Sequence, residues 1–230
     1  MPRSKDGDGR RVVVVGLGRF GQSVARTLHE LRYEVTAIDV DERAVEDISA
    51  FVSLSVQGDG TDEALLRSLQ VEQSDVAVVA QGSHLETSVL ATLVLKRLGI
   101  PWIVAKATTE LRGEVLRRVG ADRVIFPERD AGVRLAHTLG VPRIDDYISL
   151  DPASGIAKFA APPNLTGRTL EEVHAICGDR LSTLAIKRGR HLITMPSDSE
   201  RIQRGDEVIV AGPDAEIEAF VDAGLGESGS

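Results

Sequence analysis

The stretch Val12-Val13-Val14-Val15-Gly16-Leu17-Gly18-Arg19-Phe20-Gly21 decides the fold. Four consecutive valines form a run of strand length, apolar enough for a strand buried on both faces of a parallel sheet. Gly16, Gly18 and Gly21 then fall in the spacing G-x-G-x-x-G. A helix pattern follows from Phe20 to about Leu31, with Val24, Ala25, Leu28 and Leu31 on one face. The first glycine permits a tight turn, the second lets backbone approach a pyrophosphate, and the third lets the helix pack close to the strand. The helix N-terminal amides then face the anion. Alone, this spacing is a weak signal. Here the strand Val35–Asp39 ends on an acid 18 residues past Gly21, where a carboxylate accepts hydrogen bonds from a ribose diol. Together these features predict an adenosine-containing ligand, with Gly16, Gly18, Arg19, Phe20, Gly21 and Asp39 at the site. The alternative is a set of glycines that serves packing alone.

The same beat continues along the chain. Glu42–Ser49 reads as a helix and Leu54–Val56 as a strand. Thr61–Leu69 follows as a helix with Thr61 as its N-cap, then Val76–Ala80 as a strand. The helix Ser83–Leu98 closes on Gly99 and Pro101, a conventional stop signal. Ile103–Ala105, the helix Thr109–Val119 and the strand Arg123–Phe126 complete six β-α units. The fold class is therefore α/β, a Rossmann-like doubly wound parallel sheet. After one more helix, Asp130–Leu139, the pattern changes at Gly140-Val141-Pro142. Short strands at Tyr147–Leu150, Ile156–Phe159, Leu184–Lys187, Leu192–Thr194 and Glu207–Val210 join helices near Leu170–Ile176 and Pro213–Phe220. Hairpin spacing around Arg188-Gly189-Arg190 points to antiparallel pairing in a second, smaller α+β domain. The domains are expected at residues 10–140 and 141–223, with 1–9 and 224–230, small and polar, expected to be disordered.

Composition narrows the function. A formal net charge of −8 and a pI near 5.2 argue against a nucleic-acid-binding surface, and 3% aromatic residues argue against base-stacking platforms. The single cysteine, Cys177, excludes an internal disulfide framework. No apolar run approaches the roughly 20 residues that cross a bilayer, and the N-terminus lacks the apolar core of a signal peptide. A cytoplasmic protein in a reduced compartment is expected.

Three details bear on the ligand. Asp39 disfavours a 2′-phosphate by charge repulsion, which argues against NADP, whereas the glycines do not separate NAD from ATP or ADP. Arg19, on the first helical turn, reaches a terminal phosphate or a neighbouring subunit, or is a solvated surface cation. Gly58-Asp59-Gly60-Thr61 ends the third strand beside the same crevice. Either its glycines turn over an adenine edge with Asp59 accepting from the exocyclic amine, or it is a plain strand-to-helix turn. Catalytic equipment is harder to find. The stretch after Gly140 is short for a substrate domain, and its reactive candidates His174, His191 and Cys177 fall in separate elements without metal-ligand spacing. His29, His84 and His137 read as surface or interface residues. No P-loop sequence is present. Binding without chemistry, and no enzyme, is the expectation.

Val14–Gly21, Val35–Asp39, Gly58–Thr61 and Gly120-Ala121-Asp122-Arg123-Val124-Ile125-Phe126-Pro127-Glu128, with Leu165–Leu170 and Gly205–Gly212 in the C-terminal part, resemble the RCK (regulator of potassium conductance) family. Within it they look most like the cytosolic regulatory subunit of Trk/Ktr-type potassium uptake systems, with TrkA-N and TrkA-C domains. The resemblance implies dimers assembling into an octameric ring, docked peripherally under an integral membrane potassium-transporting subunit on the inner face of the plasma membrane. It implies ATP and ADP, with NAD(H) in some relatives, as ligands favouring different ring shapes. It places Lys106 near the phosphates beside the glycines, Arg19, Asp39, Asp59 and Gly60, and gives Glu128 the role of a Mg or Ca ligand at a dimer interface. Arg168 matches a position for cyclic di-AMP, although His174 stands where relatives often carry asparagine. Two other readings stay open, a small NAD-dependent oxidoreductase or redox sensor and an RCK regulator of a different cation transporter.

Overall fold

The valine run forms the centre of a six-stranded parallel sheet of order β3-β2-β1-β4-β5-β6. In the computed structural model, which describes residues 9–82, 84–140, 144–151, 153–177 and 180–222, β1 (Arg11–Val15) is flanked by β2 (Glu34–Asp39) and β4 (Val76–Val79), paired Val12 to Val35 on one side and Val12 to Val76 on the other. The outer strands are β3 (Leu54–Gln57), β5 (Trp102–Lys106) and β6 (Arg123–Ile125). Because side chains alternate across a strand, the valines serve two cores. Val13 and Val15 pack with Leu66 of α3 (Glu63–Ser68), Leu95 of α4 (Leu85–Arg97) and Leu116 of α5 (Glu110–Val119). Val12 and Val14 pack with Ala25 of α1 (Arg19–Glu30) and Ile48 of α2 (Glu42–Ser49). Each fully buried valine contributes roughly 1.5–3 kcal/mol of transfer free energy, which is why this strand sits at the centre.

Helix ends follow local chemistry. Asp41 caps α2 by accepting from the Arg43 amide at 3.0 Å, and Thr109 caps α5 by accepting from that of Arg112 at 3.3 Å. Two expected boundaries move. The cap of α3 is Asp62, whose carboxylate accepts from the Ala64 and Leu65 amides. Thr61 instead donates its hydroxyl and amide to Asp59, because an ionised carboxylate next to the helix outcompetes a hydroxyl one residue further out. The helix expected from Asp130 starts earlier, as α6 (Pro127–Gly140). Proline fits a first helical position, where its missing N–H costs nothing.

The chain divides into two compact units, one ending at Arg129 and one beginning at Asp130. Residues 1–8 and 224–230 of the expected disordered ends, residue 223 at the end of the expected second domain, the helix start at Ser83 and the Val141-Pro142 part of the expected boundary lie outside the described residues. The second unit is an antiparallel sheet of order β10-β9-β11-β8-β7. It is built from β7 (Ile144–Asp151), β8 (Ser154–Ala160), β9 (Ser182–Arg188), β10 (His191–Thr194) and β11 (Glu207–Pro213), with α7 (Leu170–Cys177) and α8 (Asp214–Asp222). Arg188 pairs with His191, so Gly189-Arg190 is a two-residue hairpin turn. Phe159 and Phe220 meet edge to face at 5.2 Å in a core with Val173, Ile186 and Val208.

A buried charge fixes the turn before β11. Asp206 is 1% exposed. Arg188 donates to it through Nε and Nη2, both at 2.9 Å, and the Gln203 amide donates at 2.9 Å. Burial by itself raises the Asp206 pKa, but the guanidinium and amide outweigh it and hold the carboxyl below its ordinary range. A depressed folded value stabilises above the ordinary carboxylate pKa, and that contribution is lost as pH falls through the depressed one. Asp206→Asn is expected to lower stability by about 2–3 kcal/mol near neutral pH. Urea denaturation should show the gap to wild type shrinking as pH falls below the ordinary carboxylate range, and a gap that stays constant there would refute the assignment.

Candidate nucleotide-binding site

The sheet order reverses between β1 and β4, so the loops leaving these two strands part and open a crevice at the carboxyl edge. A cavity of about 780 Å³ lies there, lined by the turn after β1, by Asp39 and Asp59, and by the segment after β4, with Lys106 and Glu128 on its far side. This is a volume suited to a small-molecule ligand.

The three glycines do three different things. Gly16 has φ +96°, and a Cβ on it would lie 2.6 Å from the Gln81 side chain. A Cβ on Gly21 would come within 1.9 Å of the Gly16 carbonyl oxygen, so the helix touches the turn directly. Gly18 is the reverse case. It has φ −63°, a Cβ there would meet nothing within 4 Å, and the residue lines the cavity. Its missing side chain therefore leaves open space on the ligand side. Gly18 is also the N-cap of α1, with no side-chain cap and no acid in the first helical turn. The first amides of a helix lack intrahelical acceptors and carry its positive dipole end, so this one faces the cavity prepared for an anion. A phosphate-bearing ligand fits this cradle.

Asp39 holds the turn from the side. Its Oδ2 accepts from the Leu17 amide at 2.5 Å and its Oδ1 from the Asp41 amide at 2.9 Å. An ionised carboxylate has about four acceptor positions, so both bonds leave capacity for a ribose diol. Asp59 uses Oδ1 to accept the Thr61 amide and hydroxyl, each at 2.8 Å. A Cβ on Gly60 would lie 2.2 Å from Val15, so this glycine lets its turn pack on β1.

Across the sheet edge the charges are ordered. Asp59 lies just past β3, Asp39 ends β2, the glycine turn follows β1, and Lys106 ends β5. Glu128, in the first turn of α6, is hydrogen-bonded by the Lys106 ammonium, and that bond holds its carboxyl below the usual range. Arg19, exposed beside the cradle, completes the cationic side. Polar acceptors for a diol and cations for phosphates thus stand at opposite ends of one crevice.

Several lining residues escaped the sequence reading. His84, expected on a surface or interface, is exposed and also lines the cavity with Gln81, Gly82, Thr87 and Thr108. The signal was topological, because the loop after β4 flanks the switch point in any 3-2-1-4 sheet. Arg112 fixes that loop by donating to the Gly82 carbonyl at 3.0 Å and to the Thr108 hydroxyl at 3.2 Å. Arg168 lies in the second unit, exposed. His174 and Cys177, expected in separate elements, share α7. His174 Nε2 pairs with the Thr183 hydroxyl at 3.0 Å. Burial pushes the Cys177 thiol up to about 11, so it is protonated and unreactive near neutral pH. Among the described residues no three His, Cys, Asp or Glu side chains cluster as metal ligands. Glu128, bonded to a lysine, does not by itself compose a divalent-cation site.

The glycine geometry separates binding from folding. Gly18→Ala has an allowed backbone and open space, so it should melt within about 1 kcal/mol of wild type while losing nucleotide affinity at least tenfold by calorimetry. Gly21→Ala should fail to fold or lose more than about 3 kcal/mol, since its methyl meets backbone. Unimpaired ligand affinity in Gly18→Ala would remove the cradle.

The chain matches the TrkA-N domain over residues 12–127 and the TrkA-C domain over residues 156–223. It is 36% identical to Ktr system potassium uptake protein C of Bacillus subtilis (strain 168), over 92% of this chain and 96% of that protein. It is 32% identical to Ktr system potassium uptake protein A of Vibrio alginolyticus, over 91% of this chain and 94% of that one. The GsuK RCK domain has the same fold at a TM-score of 0.62 and 18% identity, covering 99% of this chain and 50% of that chain. The GsuK channel bound to NAD matches at a TM-score of 0.61 with 18% identity, covering 99% of this chain and 41% of that chain. This chain thus spans half or less of the length of those solved chains. A parallel six-stranded unit carrying the glycine turn, followed by an antiparallel second unit, is what these matches share, and the chain belongs to the RCK family as a protein of TrkA-N and TrkA-C domains.

Proposed function

We propose that this protein is the nucleotide-binding regulatory subunit of a Ktr-type potassium uptake system. In this reading it binds ATP and ADP at the β1–β4 crevice and acts on a membrane-embedded potassium-transporting partner, to which it is held peripherally on the cytoplasmic side. The observation that carries the reading is the open space at Gly18, under an uncapped helix N-terminus and between Asp39 and Lys106. The relatives that cover nearly the whole chain are named as potassium uptake proteins. Among the described residues no helix is long and apolar enough to cross a membrane, which accords with transport being carried by another chain.

In this reading the α1 amides and Lys106 hold the phosphates, and Asp39 holds the ribose while keeping the glycine turn in shape. Arg19, on the rim, meets the terminal phosphate or that of a neighbouring subunit. The residues do no chemistry on the ligand. Binding free energy shifts the protein between arrangements of its ring, octameric in this proposal, only by as much as one nucleotide prefers one arrangement. The added charge of a third phosphate, met by Arg19, supplies such a difference. NAD is the second reading, favoured by a cradle that takes any diphosphate and by the protein-bound NAD of a fold neighbour. In both readings Asp39 disfavours a 2′-phosphate.

Thermal shift and calorimetry with ATP, ADP, NADH and NADPH decide among these. A physiological ligand at a hundred times its Kd raises stability by about 2.7 kcal/mol, and NADPH is expected to do least. Arg19→Ala should weaken ATP more than ADP, whereas equal losses would remove its terminal-phosphate role. Turnover of NADH with a simple carbonyl substrate would overturn the regulatory reading in favour of an oxidoreductase.

A further inference from the structure

The cationic end of the cavity already contains an anion. The Lys106 side chain is 12% exposed, whereas that of its partner Glu128 is 65% exposed. The lysine stem is confined on the cavity wall. A Cβ on Gly82 would lie 3.3 Å from Lys106 Cε and 3.4 Å from Nζ, and Nζ stands 5.7 Å from the centre of the Phe20 ring. A mostly buried ammonium needs a compensating charge, and the only acid bonded to this one among the described residues is Glu128. A solvated carboxylate surrenders such a bond cheaply, because water takes it back with little change in hydration. The lysine has no comparable escape to solvent. When an anion enters beside Lys106, the exchangeable member of the pair is therefore Glu128.

We propose that Glu128 is a built-in competitor for the phosphate position at Lys106, and that it sets how the site discriminates ligands by phosphate charge. The inference rests on the nucleotide reading above. While Glu128 stays in place, it cancels the lysine's charge and repels an incoming anion in proportion to that anion's charge. When the ligand displaces it, the ligand loses affinity by the strength of the Lys106–Glu128 bond. Either way the handicap is largest for the ligand whose phosphates reach furthest toward β5 and carry most charge. The glycine cradle and Asp39 meet parts that all adenine nucleotides share, so the lysine–glutamate pair acts where these ligands differ. Glu128 is thus a specificity determinant that works against binding, opposite in sign to a residue that helps hold the ligand.

The test is calorimetry of the full chain with AMP, ADP and ATP in buffer containing EDTA, which keeps divalent cations out of the measurement. Glu128→Gln should bind ATP about three- to fivefold more tightly than wild type, the scale of a partly exposed ion pair, with a smaller gain for ADP and the smallest for AMP. In a Lys106→Met background the same substitution should give no ATP gain. A gain in affinity does not arise from a misfolded variant, so folding does not confound the result. Unchanged or weaker ATP binding by Glu128→Gln, while wild type binds normally, overturns this proposal and leaves the nucleotide reading standing. An equal gain with and without Lys106 also overturns it, since the effect would then be general repulsion. Failure of wild type and variants to bind any of the three overturns the nucleotide reading and the proposal together.

Discussion

Everything at the carboxyl edge of the first sheet depends on how closely α1 approaches the turn that precedes it. At Gly21 there is no room for even one carbon, since a Cβ would stand 1.9 Å from the Gly16 carbonyl oxygen. That approach seats the helix on Ala25 against the core around Val12 and Val14, and it aims the first-turn amides along the crevice. The Asp39 carboxylate clamps the same turn through the Leu17 amide, and the Gly16 amide donates to the Ile38 carbonyl at 2.9 Å. The anion cradle is therefore a consequence of packing: the residues that close the helix onto the sheet also leave its dipole end uncapped and open.

Much of this was legible in the sequence because it is local and periodic. Four valines followed by spaced glycines and an acid at a strand end define one β-α-β unit, and repetition of the beat defines the sheet. The positions of Gly16, Gly18 and Asp39 at one cavity follow from that topology, whereas Gly21 packs against Gly16 instead of lining the cavity. What was not legible depends on competition or on distance in the chain. Asp62 displaced Thr61 as the α3 cap because two candidates sat side by side and only geometry separates them. His84 and Thr108 reach the cavity from the loops after β4 and β5 and Thr87 from the first turn of α4, and no spacing rule marks them. The Lys106–Glu128 bond joins residues 22 apart in the sequence, and the Arg188–Asp206 clamp joins residues 18 apart, so both appear only once the strands are in register.

In the reading proposed above, the site holds a nucleotide. The charged groups of the crevice are arranged along its length, acids beside the expected sugar and cations beside the expected phosphates. The one cysteine is buried in the second unit with its thiol protonated. Where a protein binds a nucleotide without transforming it, the binding energy is spent on conformational preference, and the useful quantity becomes the difference between ligands.

That difference cannot come from the cradle. In the proposed reading, Gly16 to Gly21 and the α1 amides meet the phosphates nearest the sugar, and Asp39 meets the ribose, features that AMP, ADP, ATP and NAD hold in common. A site made of these groups alone would be tight and indiscriminate. Discrimination requires groups whose interaction grows with the number of phosphates, and its extent is set by how far those that oppose the ligand offset those that attract it. In the proposal, among the described lining residues Arg19 and Lys106 carry the attraction and Glu128 the opposition. The Lys106–Glu128 bond forms a threshold because its members are unequally buried: the cation stays and the anion can leave. A ligand with too little charge to displace Glu128 is held by the shared features, while one with enough charge gains Lys106 as well. Selectivity then follows from the burial of one lysine and the exposure of one glutamate.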